Sequence, residues 1–164
     1  MPVRNQKLKF KESMRFEPEV EDFISNYMKD GYTLNVPAGQ SPLGTIKGDI
    51  EPQNENVRYM DMRSLPFANC VFDVSLSDPP WHLNLFQRFR PFYELVRVTK
   101  VGGRIIYVAT WIPESKAVEL EKLMVRQSAK FANASIVSVF KKTTDEYDGE
   151  NGQRLRNLES NRED

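Results

Sequence analysis

The 164-residue chain holds a single cysteine, Cys70, and a single histidine, His82. A lone thiol excludes an internal disulfide and a multi-thiolate zinc site, and a lone imidazole excludes a histidine-based metal cluster within one chain. Any Ser-His-Asp triad would have to run through His82. One unpaired thiol fits a reducing compartment, so a cytoplasmic location is expected. Long apolar runs are also missing: none reaches the roughly 20 residues of a spanning helix. The stretch Met1 to Lys11 is basic but has no apolar h-region, so neither membrane insertion nor export is expected. Nor is there an excess of one charge. Lysine plus arginine (23) balances aspartate plus glutamate (23), leaving no overall field to draw the chain to a polyanion. What remains, 40% hydrophobic and 28% charged residues, is the make-up of one globular domain without a metal centre.

Charge and pattern divide the chain into a basic arm (1–15), a patterned body (16–142) and a polar tail (143–164). In the arm, Arg4, Lys7, Lys9, Lys11 and Arg15 face only Glu12. Such an arm suits contact with phosphates or an ordinary solvated segment. In the body, apolar runs alternate with amphipathic stretches, which predicts an α/β sheet. Phe16, Val20, Phe23, Ile24 and Tyr27 fall at helical spacing, and strands are expected over 32–36, 45–50, 57–60 and 71–76. A helix over 85–98 and a strand over 104–110 follow. A helix over 114–130 is expected from Ala117, Leu120, Leu123, Met124 and Gln127, then a last strand over 134–140.

In an open parallel sheet, ligands bind beyond the carboxyl ends of the strands. The loop Ser77-Asp78-Pro79-Pro80-Trp81, which follows an apolar strand, therefore carries the most information. Its chemistry suits a planar substrate with an exocyclic amine. Asp78 would accept from the amine, and Pro79 and Pro80 stiffen the turn and keep neighbouring carbonyls available as further acceptors. Acceptors on the amine hydrogens favour a geometry in which the nitrogen lone pair can attack, and Trp81 offers a face for a flipped base. The ordinary reading is a Pro-Pro turn with a core tryptophan and an N-capping aspartate. The four residues together favour the functional one.

Asp78-Pro79-Pro80-Trp81 resembles the catalytic loop of class I S-adenosylmethionine-dependent methyltransferases, in the branch that modifies adenine N6 or cytosine N4, and most of all the adenine-N6 enzymes. Leu34-Asn35-Val36-Pro37-Ala38-Gly39-Gln40-Ser41 resembles that family's first motif, whose loop lets the methionine part of the cofactor approach the backbone. Asp49 matches the acidic residue that receives the ribose hydroxyls. Asp61-Met62 resembles the segment that holds the cofactor's adenine, the aspartate on its amine and the next residue on its ring. The likeness spans roughly residues 16 to 140, and it implies a Rossmann-like sheet flanked by helices, with S-adenosyl-L-methionine as cofactor. The implied catalytic residues are Asp78, Pro79, Pro80 and Trp81. The implied cofactor-binding residues are Asn35, Pro37, Ala38, Gly39, Asp49, Asp61 and Met62.

Two departures stand against the family pattern. Asn35 occupies the place of an acidic residue in the first strand, and Gln40-Ser41-Pro42-Leu43-Gly44 stands where the family has a second glycine in the loop; few residues then separate that loop from the second strand, so the first crossover helix is expected to be missing or reduced to a turn. The activity implied is methyl transfer to an exocyclic amine of a nucleobase, adenine N6 first, in DNA ahead of RNA. Nucleic acid is then the expected partner, and the sequence is compatible with a homodimer or a heteromeric partner. Other readings remain open: an amine methyltransferase for RNA, a protein glutamine or a small molecule, and a catalytically silent methyltransferase-like subunit. Trp111 and Pro113 either shape the substrate pocket or close a helix start, Phe86 either lines the pocket or fills the core, and Cys70 reads as a small core residue.

Overall fold

The computed structural model describes residues 15–80, 85–127 and 134–145. Short apolar runs pair into a seven-stranded sheet in the order β3-β2-β1-β4-β5-β7-β6. The strands are β1 (Thr33–Asn35), β2 (Ile46–Asp49), β3 (Arg58–Tyr59), β4 (Phe72–Ser77), β5 (Thr99–Ala109), β6 (Val118–Gln127) and β7 (Ala134–Lys142). The first five run parallel, and β7 runs antiparallel between β5 and β6. Two helices, α1 (Pro18–Met28) and α2 (Leu85–Val98), lie at the positions the periodicity predicts.

Each helix covers one face. Val20, Ile24 and Met28 repeat every fourth residue along α1 and pack on Val74, Leu76, Ile106, Val108, Val137 and Val139. Phe92, Leu95 and Val96 of α2 pack on the other face, against Leu34, Ile105, Tyr107 and Phe140. Phe72 sits on the α2 side although Val74 and Leu76 face α1. The register between β4 and β5 shifts there, from Phe72↔Thr99 to Val74↔Arg104, and the strand turns over. Gly102 and Gly103 lie inside β5 at this irregularity. A Cβ on Gly103 would come within 2.6 Å of the Asp73 carbonyl oxygen, so β4 can approach only a glycine.

β1 and β2 are parallel neighbours joined by residues 36–45 without a helix, as the short first crossover requires. Among the described residues, only the β4-to-β5 connection carries a helix between two strands.

One element differs from its expected form. The stretch 114–130, expected as a helix, contains the edge strand β6. Its register against β7 shifts between Leu120 and Lys122, where Glu121 is an extra residue. Residues on the α2 side therefore fall at Val118, Leu120, Leu123 and Val125. A three-residue step between two-residue steps imitates helical spacing. The hydrogen bonds of β7, which pairs on both sides, decide the conformation. Leu120, Leu123 and Val125 are left exposed. No helix among the described residues is long and apolar enough to cross a membrane.

Of the arm and tail, the described residues are tied down. Arg15 pairs with Glu21, while Thr143 donates from its backbone N–H to Ala117 O at 2.8 Å. Cys70 is half-buried at φ 58° in the turn before β4 rather than in the core. Its Sγ lies 3.0 Å from Asp145 Oδ1 and 3.4 Å from the Lys142 ammonium.

Candidate active site

β1 and β4 are adjacent, yet the chain leaves them in opposite directions across the sheet: β1 leads outward to β2 and β3, β4 to β5. Such a switch point opens a crevice beyond the strands' carboxyl ends. Asn35 pairs with Leu76 in register, and the Val36 N–H donates to Leu76 O at 3.0 Å. The loop that begins at Val36 and the loop that begins at Asp78 thus leave the sheet side by side.

The first loop is held against the end of β2. The Ala38 N–H donates to Gly48 O at 2.8 Å, and the Gly39 N–H, at a left-handed φ of 51°, donates to Asp49 Oδ2 at 2.9 Å. The Glu51 N–H donates to Asp49 Oδ1 at 3.0 Å. Asp49 is buried, and two backbone donors fix its carboxylate while each oxygen keeps a lone pair. Asn35 is buried as well. Its side-chain amide donates to Leu43 O at 3.0 Å and so stitches the loop closed. Pro37 and Ala38 lie between these anchors, half-buried and buried.

Asp61 meets a neighbour that the sequence reading did not weigh. Arg63 grips it with a two-pronged guanidinium pair, Nε to Oδ1 at 2.9 Å and Nη2 to Oδ2 at 2.8 Å, and its backbone N–H also donates to Oδ1. The Arg63 side-chain hydrogen bond, opposed by burial, holds the Asp61 carboxyl below its usual range. Only Oδ2 keeps acceptor capacity. Met62 packs against the core on the α2 side.

Asp78 lies directly beyond β4. Burial pushes its carboxyl up to about 6, opposed by the Arg126 guanidinium and aided by the nearby charge of Glu17. Arg126 Nη1 reaches Asp78 Oδ2 at 3.4 Å. Pro79 is buried and Pro80 exposed. Trp81 and His82 lie outside the described residues, as does the side chain of Phe86.

On the α2 side of the same strand ends, Tyr107 stands opposite Ser77 on one neighbouring strand and Ser138 on the other. Both serine hydroxyls are buried without a hydrogen-bond partner among the described residues. Trp111 packs half-buried against Phe89 (ring centroids 4.7 Å) and Tyr107 (6.0 Å). It starts no helix. Arg97 is tied to Glu94 and to the Phe67 and Leu65 carbonyls. Sequence reasoning missed Arg126 and Glu17: the first fell in the supposed helix, and 109 residues separate the pair.

No family model and no curated protein matches the sequence. Solved structures do. A 1,6-didemethyltoxoflavin-N1-methyltransferase from Burkholderia thailandensis, with its substrate and S-adenosylhomocysteine bound, superposes with a TM-score of 0.61 at 10% identity, over 86% of this chain and 83% of that one. The N-methyltransferase NodS from Bradyrhizobium japonicum, with S-adenosylhomocysteine, gives 0.57 at 9% identity, over 77% and 87%. The [4+2]-cyclase SpnF gives 0.54 at 12%, over 77% and 81%. The sheet order, the switch point and these superpositions agree that the chain has the class I S-adenosylmethionine-dependent methyltransferase fold.

Proposed function

We propose that the chain is an S-adenosylmethionine-dependent N-methyltransferase acting on an exocyclic amine of a nucleobase, adenine N6 in DNA first. One observation carries this reading: a half-buried carboxylate, Asp78, stands at the switch point and is followed by Pro79 and Pro80, of which neither brings a backbone donor. An environment of that kind holds amine hydrogens and offers nothing to the nitrogen lone pair.

The residues at β1 and β2 fit the cofactor. Asp49 is fixed by two backbone donors with a lone pair free on each oxygen, which suits two ribose hydroxyls. Asn35, Pro37, Ala38 and Gly39 would line its methionine part, Asp61 Oδ2 would meet its adenine amine, and Met62 would pack on its ring. When bound, S-adenosylmethionine supplies a methyl carbon made electrophilic by its sulfonium. The chain's own work is orientation and proton handling. Asp78 Oδ1 accepts from one amine hydrogen, a carbonyl at Pro79 accepts from the other, and Trp81 gives the base a face. As the nitrogen gains a carbon it must lose a proton, and a carboxyl pushed up to about 6 can receive that proton and release it to water near neutral pH.

A second reading takes the same chemistry to a small-molecule amine. It is favoured by two structural neighbours, the 1,6-didemethyltoxoflavin-N1-methyltransferase and the N-methyltransferase NodS. Incubation with methyl-labelled cofactor and DNA, RNA or small heteroaromatic amines, followed by analysis of the labelled product, separates the two. Labelled N6-methyladenine from DNA is expected. Label confined to small amines would transfer the reading to the second substrate class, and no uptake of cofactor in a calorimetric titration would leave a silent scaffold.

A further inference from the structure

Three elements far apart in sequence meet at the catalytic carboxylate. Arg126 lies on β6, Glu17 caps the start of α1, and Asp78 follows β4. Arg126 holds Glu17 with two parallel bonds, Nε to Oε2 at 2.7 Å and Nη2 to Oε1 at 3.0 Å. Its remaining terminal nitrogen, Nη1, is turned to Asp78 Oδ2 at 3.4 Å. The Phe16 ring lies 5.6 Å from the guanidinium carbon and covers it from one side. The Arg126 side chain keeps only 17% of its surface exposed, against 48% for Glu17. A planar cation fixed by two bonds and a ring has little freedom left, so the direction of its Nη1 donors is set by the fold and not by Asp78.

We propose that Arg126, anchored by Glu17, is a positioning residue for Asp78: it occupies Oδ2, fixes the carboxylate's rotation and leaves Oδ1 as the oxygen that receives the amine hydrogen. This rests on the amine-methyltransferase reading for its purpose but not for its geometry. The contact is 3.4 Å and poorly suited to a tight pair, which is the useful compromise. A close, two-pronged pair would take both oxygens, as Arg63 does with Asp61. With no cation at all, a carboxyl in this position would hold its proton and present a donor to the amine in place of an acceptor. Glu17 tempers the cation and keeps it from closing on Asp78. Among the described residues, the charged groups that act on Asp78 are Arg126 from β6 and Glu17 from α1.

The two partners should therefore act in opposite directions. Arg126→Gln is expected to raise the Asp78 titration by about one unit, while Glu17→Gln, which keeps the hydrogen-bonding shape and removes the charge, lowers it by about half a unit. Arg126→Lys should restore the charge but not the fixed direction, returning the titration toward the parent value with a lower kcat. The readout is carboxyl carbon NMR of protein labelled at aspartate, with the Asp78 resonance assigned by its loss in Asp78→Asn. It needs no methyl transfer, and each variant's folded state is visible in the same spectra. The acid limb of the kcat profile is the second readout and should move with the titration. If transfer to the amine proceeds but the Asp78 titration is the same in all variants, the positioning role is wrong and the functional reading stands. If the titrations move as expected while no amine is methylated, the geometry is right and the functional reading fails.

Discussion

Asp78 gives the clearest test at the level of a single residue, because its environment sets the sign of a stability change. Its carboxyl titrates at about 6 in the fold, above the roughly 3.9 of an unfolded chain. The fold thus disfavours the ionised form. The cost is full above about pH 6, shrinks as pH falls and is gone below about pH 4. Asp78→Asn should accordingly stabilise the protein at about pH 8, by at most about 3 kcal/mol, with the gain disappearing by about pH 4. Urea denaturation at the two pH values measures it. Asp49 makes the complementary case. Its carboxylate satisfies the Gly39 and Glu51 N–H groups, so Asp49→Ala leaves two donors without their acceptor and loosens the first loop. Calorimetry should find S-adenosylmethionine binding weakened at least about tenfold, or about 1.4 kcal/mol.

Single residues were also where the sequence spoke most plainly. Asp78-Pro79-Pro80 closes an apolar run, a local pattern that needs no knowledge of the rest of the chain, while Asp49 was singled out by the family resemblance at the end of a short strand. The Asp61–Arg63 grip is local too, at a spacing of two, and the sequence held its signal. The Glu17–Arg126–Asp78 chain was out of reach, because only the folded sheet brings β6 beside α1.

At the level of elements, period decides what can be read. α1 shows an apolar residue at every fourth position and was legible. Ile24, fully buried on α1 against the sheet, should cost about 2–5 kcal/mol when replaced by alanine. β6 was misread because Glu121 breaks its alternation and because an edge strand need not be apolar on both faces. Leu123 at 46% exposure carries the contrast: Leu123→Thr keeps a good strand former and should change stability by no more than about 0.5 kcal/mol. Both values come from chemical denaturation of the same preparation. A large loss at Leu123 would mean that this face of β6 is covered.

Across the whole molecule, a class I methyltransferase sheet is held by one helix on each face among the described residues. Loops replace the crossovers that leave β1, β2, β3 and β5. If the proposed function holds, the substrate would meet strand ends and loops directly, and the hold on a nucleobase would fall to the Asp78 loop and to the aromatic group around Trp111. The α/β class was visible in advance because apolar runs alternate with amphipathic stretches, and the Rossmann-like sheet was implied by the family resemblance of the loops; the strand order came only with the fold, and its thinness was visible only at the first crossover, where too few residues remained for a helix.

The central claim is that Asp78 holds the amine being methylated. Single-turnover transfer from labelled S-adenosylmethionine to unmethylated DNA, comparing the parent protein with Asp78→Ala at matched cofactor saturation, tests it most directly. The account predicts label at adenine N6 with the parent protein and a rate at least about a hundredfold lower with the variant. An Asp78→Ala protein that binds cofactor and transfers at the parent rate would contradict it.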